Sequence, residues 1–205
     1  NPVPVITTVS PPAASPVSGD TLVMASQTEG LTFIDVSDPI RPTVVGGIDT
    51  PYRALGATWS GETILLAVRL PAPEEERDLP VVPRYGGVMV VDPHDPTSPS
   101  SLGLFGVHLD DYRGNVERWG IAVSGGLALL AAAEGKVRAV DVRTPAAMRE
   151  VQQLPLPGVQ GALAMAGEHA YVAGQDAGLS IIRVRGESAE PAHRCAFLPL
   201  ALVPH

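Results

Sequence analysis

The sequence contains few of the residues that build reactive or basic sites. Cys195 is the single cysteine and Lys136 the single lysine among 205 residues. One cysteine excludes an internal disulfide and a thiolate metal cluster. The formal net charge of −8 argues against a nucleic-acid partner, because phosphate binding requires a basic surface.

Long apolar runs are also absent. The longest uncharged stretch that could suggest a membrane segment, residues 119–133, is interrupted by Gly120, Gly125 and Gly126. A spanning helix needs about 20 apolar residues, so the sequence predicts no direct membrane span. The chain begins with Asn1, which fits either an exported protein whose leader has been removed or an incomplete N-terminus.

The motifs of common enzyme families are missing as well. The sequence has no Gly-x-Ser-x-Gly elbow, no His-Glu-x-x-His pair and no Walker-type phosphate loop. Cys195 lies in the apolar segment Cys-Ala-Phe-Leu, which is typical of a buried, inert thiol. We therefore expect a non-enzymatic protein without a cofactor, and we assign no catalytic, cofactor-binding or metal-binding residue.

Glycine and proline are abundant, with 21 of each, and they frame a segment that recurs. Its first copy is Gly30-Leu-Thr-Phe-Ile-Asp-Val-Ser-Asp-Pro39, in which a β-prone apolar run is followed by turn residues. Related segments occupy residues 87–96, 136–145 and, more loosely, 178–184. The repeated aspartates Asp35, Asp92 and Asp141 predict a structural turn role, because every repeat needs a turn residue whereas catalysis needs its residue once.

The repeated segments define a period. Asp141 and Arg183 occupy one register and are 42 residues apart, and the earlier spacings correspond to the same period with insertions of 15 and 7 residues. A repeat of about 40 residues with several short strands predicts an all-β propeller of four-stranded blades. We expect a single domain over residues 1–205, with blades at about 11–50, 51–107, 116–156 and 157–203, and an extra outer strand at 1–10.

The first repeat resembles a known family. The segment Leu-Thr-Phe-Ile-Asp-Val-Ser-Asp-Pro, followed by Arg-Pro-Thr-Val-Val-Gly-Gly, is similar to the LVIVD repeat of bacterial and archaeal cell-surface proteins. The resemblance is clearest over residues 19–61 and extends to 86–145 and 158–203, where Arg183 replaces the usual aspartate. It implies a β-propeller in the periplasm or at the cell surface, and it supplies no catalytic residues.

The extra N-terminal strand leaves two alternatives open. In one, it clasps the last blade of a closed ring; in the other, it belongs to an upstream blade, and the ring is incomplete or open. An open ring exposes strand edges, which are docking sites for another chain.

Two insertions distinguish the second repeat and its exit. The first contains the acidic run Glu74 to Asp78 between prolines, and the second covers about residues 108–115. Loops on rigid scaffolds carry recognition, and Tyr and Arg are enriched at interfaces. The candidate partner contacts are therefore Glu74, Glu75, Glu76, Arg77, Tyr85, Tyr112, Arg113 and Arg118. Trp59 and Trp119 are expected to serve packing.

Two further patterns have structural interpretations. Asp92-Pro-His-Asp-Pro96 with His108, Asp110 and Asp111 concentrates imidazoles and carboxylates, but it lacks the spacing of a metal motif, so a solvated loop is favoured. The pairs Gly46-Gly47, Gly86-Gly87 and Gly125-Gly126 recur at predicted strand boundaries and indicate turns.

The leading hypothesis is a protein-binding scaffold or accessory subunit of a cell-envelope or membrane-associated complex, with other protein subunits as partners. The alternative is a small-ligand or metal-ion propeller, hydrolytic in one version, that uses its axial mouth. Its candidate residues are His94, His108, Asp110, Asp111 and Arg113. A third hypothesis is a self-assembling surface-layer element.

Overall fold

The computed structural model describes most of the chain as β-strand. The described residues are 5–8, 21–26, 29–71, 74, 84–109, 119–132, 135–158, 160–174, 177–185 and 196–202. Across these residues, no helix has the length and apolar character needed to cross a membrane. The chain divides into two compact units, Asn1–Leu109 and Asp110–His205.

The first unit contains two antiparallel sheets of four strands each. Sheet A comprises β1 (Val5–Thr8), β2 (Thr21–Ser26), β3 (Gly30–Asp35) and β4 (Thr43–Ile48), in that order. Sheet B comprises β5 (Arg53–Ser60), β6 (Thr63–Leu70), β7 (Arg84–Asp92) and β8 (Ser100–Leu109), also in chain order. Neighbours in sequence are thus neighbours in each sheet, which is the meander predicted for a blade.

The second unit repeats this plan. Sheet C comprises β9 (Gly120–Ser124), β10 (Leu127–Ala132), β11 (Lys136–Asp141) and β12 (Arg149–Pro155), with a short 3-10 turn at Pro145–Ala147. Sheet D comprises β13 (Gln160–Ala166), β14 (His169–Gly174), β15 (Gly178–Arg185) and β16 (Ala196–Leu202). The prediction of an all-β fold with four-stranded units is confirmed. The prediction of one domain with the stated blade limits stays a prediction.

Each unit has its core between its two sheets. Alternation along β2 and β3 sends Val23, Leu31 and Phe33 to one face of sheet A, where they pack with Ile64 and Leu66 of sheet B. In the second unit, residues from β10, β11, β14 and β15 form the corresponding cluster. Because strand side chains alternate between faces, one face of each sheet supplies the core.

The N-terminal strand occupies a different place from the one expected. The sequence pattern made residues 1–10 an extra outer strand, but β1 is the first strand of sheet A and pairs antiparallel with β2, with Val5 opposite Ala25. The β-branched run Val5-Ile-Thr-Thr8 suits this ladder. Pro11, Pro12 and Pro16 follow it in the sequence, and proline lacks the amide hydrogen that a ladder needs.

The recurring aspartates close the same turn in three sheets. The Oδ1 atom of Asp35 accepts the amide hydrogen of Ser37 at 2.8 Å, and Asp92 and Asp141 do the same for His94 and Arg143 at 2.9 and 3.2 Å. A second turn follows, in which Arg41 N–H donates to the carbonyl of Asp38 at 2.9 Å. The predicted structural role of the three aspartates is confirmed. In sheet D, Arg183 instead donates to Glu168 at 2.8 Å.

Asp141 has the strongest electrostatic support of the three. The guanidinium of Arg143 donates to its carboxylate at 2.5 and 2.9 Å, and these bonds lower the pKa of Asp141 from 3.8 to about 2. Hydrogen bonds from Ser37 and His94 likewise lower the pKa values of Asp35 and Asp92. A lowered carboxylate pKa favours the ionised folded state, so the stabilisation is complete above about pH 4 and is lost as the pH falls toward 2.

We therefore expect the second unit to lose stability between about pH 4 and pH 2 through Asp141. The loss should be about 1–2 kcal/mol, reduced from the full linkage value because Arg143 is half exposed to solvent. Urea unfolding of the wild type and of Asp141→Asn at pH 6 and pH 2.5 would measure it. Asparagine does not ionise at this position, so the variant should show a smaller acid effect; equal acid effects in both proteins would contradict the assignment.

Two of the three glycine pairs do not lie in turns. Gly125 and Gly126 join β9 to β10 with φ values of 58° and 78°, as expected for a turn. Gly46-Gly47 and Gly86-Gly87, however, lie inside strands β4 and β7, which corrects their prediction as turn residues. The reason is close packing: a Cβ atom at Gly46 would lie 2.6 Å from the carbonyl carbon of Pro96, in the turn after β7.

Candidate functional site

Both insertions of the second repeat leave sheet B at the same end. The first connects the end of β6 to the start of β7, and the second follows the end of β8. In the ladder, Leu70 is opposite Tyr85, and Tyr85 is opposite His108. We call these three residues the insertion end. The aspartate turn that begins at Asp92 lies at the other end of the same sheet.

An aromatic pair marks the insertion end. The rings of Tyr85 and His108 meet edge to face, with centroids 5.1 Å apart and an interplanar angle of 69°. Tyr85 is half-buried and His108 is exposed. Such pairs fix ring orientation beyond what area burial alone achieves, so these two side chains form an ordered surface feature beside both insertions.

Of the predicted partner contacts, the structure describes Glu74, which is exposed, and Tyr85, which is half-buried at the insertion end. The remaining candidates lie outside the described residues: Glu75, Glu76, Arg77, Tyr112, Arg113 and Arg118. The role of these eight residues as partner contacts therefore stays a prediction, and the structure describes the positions of two of them.

The structure separates the two histidines of the possible ion site. His94 follows β7, and its Nδ1 lies 2.5 Å from Oδ1 of Asp92 in the aspartate turn. His108 pairs with Tyr85 at the opposite end of β7 and β8. Eight strand residues span about 26 Å, so the two imidazoles cannot share an ion. Asp110, Asp111 and Arg113 are outside the described residues, and within the described part no group of three potential ligands occurs.

Sequence reasoning did not identify an apolar row on the free face of sheet A. Leu22, Ile34 and Val44 stand directly opposite one another across β2, β3 and β4. They lie on the face away from Phe33 and the core; Leu22 and Ile34 are half-buried, and Val44 is 69% exposed. Ile40, in the preceding turn, is 89% exposed. Because successive side chains of a strand point to opposite faces, the apolar residues on both faces of β2 and β3 could have indicated a second apolar surface.

The last strand of sheet B was also missed as a surface. Leu102 and Leu104 of β8 are 40% and 42% exposed. Both lie in a stretch, residues 96–109, that contains no formally charged side chain. An uncharged, β-prone segment looks the same in sequence whether it is the centre or the edge of a sheet, so its exposure could be found only from strand order.

A buried ion pair lies on β11 and β12. Nη1 of Arg138 donates to Oε2 of Glu150 at 2.6 Å, and the Arg138 side chain is 5% exposed. Gln153 donates a further hydrogen bond to Glu150. A buried guanidinium needs such partners, because an unpaired charge in the interior is costly. The pair is structural, since both groups are engaged with each other.

Comparison with a family model tests the expected resemblance. Residues 16–50 and 157–191 match the model of the LVIVD repeat. These two segments are LVIVD repeats. The first covers β2 to β4 with the Asp35 turn, and the second covers β13 to β15, where Arg183 stands in place of the aspartate. The resemblance of residues 86–145 to LVIVD repeats stays a prediction, although their aspartate turns have the geometry of the first repeat.

Similar solved structures support the propeller fold. A β-propeller domain of Cps50 (Swd1) from Myceliophteria thermophila aligns with a TM-score of 0.55 and 16% identity over 86% of this chain. The chain spans 54% of the length of that propeller chain. The computationally designed Ika4 protein aligns with a TM-score of 0.51 and 10% identity, over 81% of this chain and 86% of Ika4. No curated protein matches the sequence. Each LVIVD segment thus supplies three strands of a four-stranded unit in a β-propeller fold.

Proposed function

We propose that this LVIVD-repeat protein is a non-enzymatic scaffold or accessory subunit that binds other proteins of a cell-envelope or membrane-associated complex. The observation that carries the proposal is the apolar row Leu22–Ile34–Val44 on sheet A, with Ile40 beside it in sequence. Leu22 and Ile34 are half-buried, whereas Val44 and Ile40 are 69% and 89% exposed, and exposed apolar side chains on an ordered scaffold are typical of a protein interface.

The strand framework suits this role. Each residue of the row is held by a regular antiparallel ladder, and the reverse face of sheet A is anchored in the core by Phe33 and Leu31, both fully buried. A preorganised surface loses little conformational freedom on binding. The match to LVIVD repeats supports a periplasmic or cell-surface location, because such repeats are often found in exported proteins.

The test is the mass and composition of the native particle, extracted gently from its own membranes and compared with the 21.3 kDa chain. We expect a larger particle in which other polypeptides are present in fixed ratio. Val44→Asp should release them, because it places a charge in the apolar row. Ser124→Asp adds the same charge at an exposed position of β9 and should leave the particle intact.

Two results would contradict the proposal. One is a particle that contains this chain and no other polypeptide under all mild extraction conditions. The other is equal retention of partners by Val44→Asp and Ser124→Asp, which would show that the apolar row takes no part in the contact.

A further inference from the structure

Strand β8 has an unusual free edge. It is the last strand of sheet B, and among the described residues its strand neighbour is β7 alone. With ten residues it is the longest strand in the described part of the chain, and its pairing with β7 is continuous from Gly103 to Leu109. The opposite edge therefore presents a row of backbone amide and carbonyl groups with the geometry to accept another strand.

The usual protections of an edge strand are missing from β8. Strand β12, the last of sheet C, carries Arg149 and Glu150 and ends at Pro155. Strand β4, the last of sheet A, is six residues long and has Gly46 packed against the turn at Pro96. β8 has no charged residue and no proline between Ser100 and Leu109. Charges and prolines on edges hinder pairing with other chains, so β8, which has neither, is open to such pairing.

The side chains of β8 complement themselves about Leu104. In an antiparallel pairing of two β8 strands across a two-fold axis at this residue, Leu104 faces its own copy. Leu102 then faces Gly106, and Phe105 faces Gly103. Leu102 and Phe105 thus each meet a glycine, one on each face of the sheet, and Val107 faces Ser101. The same contacts are made twice by symmetry, as an isologous interface requires.

Electrostatics also favours a second copy at this edge. The chain carries a net charge of −8, so two copies repel each other through most surfaces. The uncharged stretch 96–109 removes like-charge contacts from the pairing itself. Ser100 faces His108 in this register, which pairs a hydroxyl with an exposed imidazole.

We infer that β8 pairs antiparallel with the β8 strand of a second copy of this chain, about a two-fold axis at Leu104, and joins two B sheets into one of eight strands. This inference does not rest on the proposed function, because it concerns the purified chain alone. The insertion end of each copy would then lie near the aspartate turn of the other.

Cysteine trapping tests both the pairing and its register. In the background Cys195→Ser, which has no native thiol, Leu104→Cys should form a disulfide-linked dimer under mild oxidation. The two Cα atoms would be about 4.5–5.5 Å apart, which is within disulfide range. Leu102→Cys is the matched control: its copies would be offset by four residues, about 13 Å along the strand, and should form no disulfide-linked dimer.

Charge exchange provides a second readout by sedimentation. Leu104→Lys and Leu104→Glu should each weaken dimerisation by at least about tenfold, because like charges would stand directly opposite. Mixing the two variants should restore the dimer. Leu179→Lys, the same change at a leucine of β15 that is 40% exposed, should leave it within about twofold of wild type, since it is not part of the pairing strand.

A wild-type chain that sediments as a monomer at all accessible concentrations would overturn the inference. So would open-ended aggregation in place of a dimer, or equal trapping at positions 102 and 104. Because these experiments contain no other protein, a negative result leaves the scaffold proposal standing. Conversely, a native particle without other polypeptides would contradict the scaffold proposal and would not affect the inference of a β8 dimer.

Discussion

Gly46→Ala is expected to destabilise the first unit by about 3 kcal/mol, the upper end of the usual range for overpacking. The added methyl would overlap the Pro96 carbonyl and lie 2.8 Å from the Cα of Thr97. These are backbone atoms of a turn in which Asp95 accepts hydrogen bonds from the amide and the hydroxyl of Thr97, at 2.9 and 2.6 Å. The turn therefore cannot yield in the way that a flexible side chain would.

Gly161→Ala is the matched control for this prediction. Gly161 also lies in a strand, β13, and a Cβ atom there meets no other atom within 4 Å. The change should be neutral or stabilise the fold by about 0.4–1 kcal/mol, because alanine restricts the unfolded chain. Urea unfolding followed by circular dichroism compares the two variants. Equal unfolding midpoints for both would show that the contact at Pro96 carries no energetic weight.

Glu150→Leu is expected to cost about 3 kcal/mol in the second unit. The substitution removes the carboxylate that accepts a hydrogen bond from the buried guanidinium of Arg138, and breaking a buried pair on one side costs about 3–5 kcal/mol. We expect the lower end of that range because the Glu150 side chain is 22% exposed, so water partly reaches the site.

The double variant Arg138→Met/Glu150→Leu separates the charge from the packing. It removes both ionic groups and keeps side chains of similar length, so its stability should return to within about 1 kcal/mol of wild type. The two single variants and the double variant complete a thermodynamic cycle in urea. If the double variant is as unstable as Glu150→Leu alone, the loss of stability does not come from an uncompensated charge on Arg138, and the pair itself stabilises the fold.

The local features of the fold were predictable from the sequence. The turns at Asp35, Asp92 and Asp141 depend on contacts two residues apart, and their repetition reveals both the period and the strand order. Such short-range hydrogen bonding is encoded in a few neighbouring residues. The packing role of Trp59, in β5, and of Trp119, just before β9, was also correctly expected; both are less than a tenth exposed.

The non-local features were not predictable. Gly46 must lack a side chain because Pro96, fifty residues away in the chain, occupies the space that a Cβ atom would need. The sequence around Gly46 indicates only a turn. Val5–Thr8 pairs with β2 although at least 12 residues separate the two strands in sequence, and the sequence of either strand alone does not specify its partner. The separation of the two histidines has a related reason: His94 and His108 are close in sequence, but the antiparallel hairpin of β7 and β8 carries them to opposite ends of the sheet.

The distribution of the indole rings has a spectroscopic consequence. The chain has two tryptophans, Trp59 in the first compact unit and Trp119 in the second, and they are 8% and 6% exposed. Both should emit at short wavelength in the folded protein and shift to the red when their own unit unfolds. Replacing either one by phenylalanine would thus give a fluorescence signal for the other unit alone, and the two melting curves would reveal whether the units unfold in a single cooperative transition.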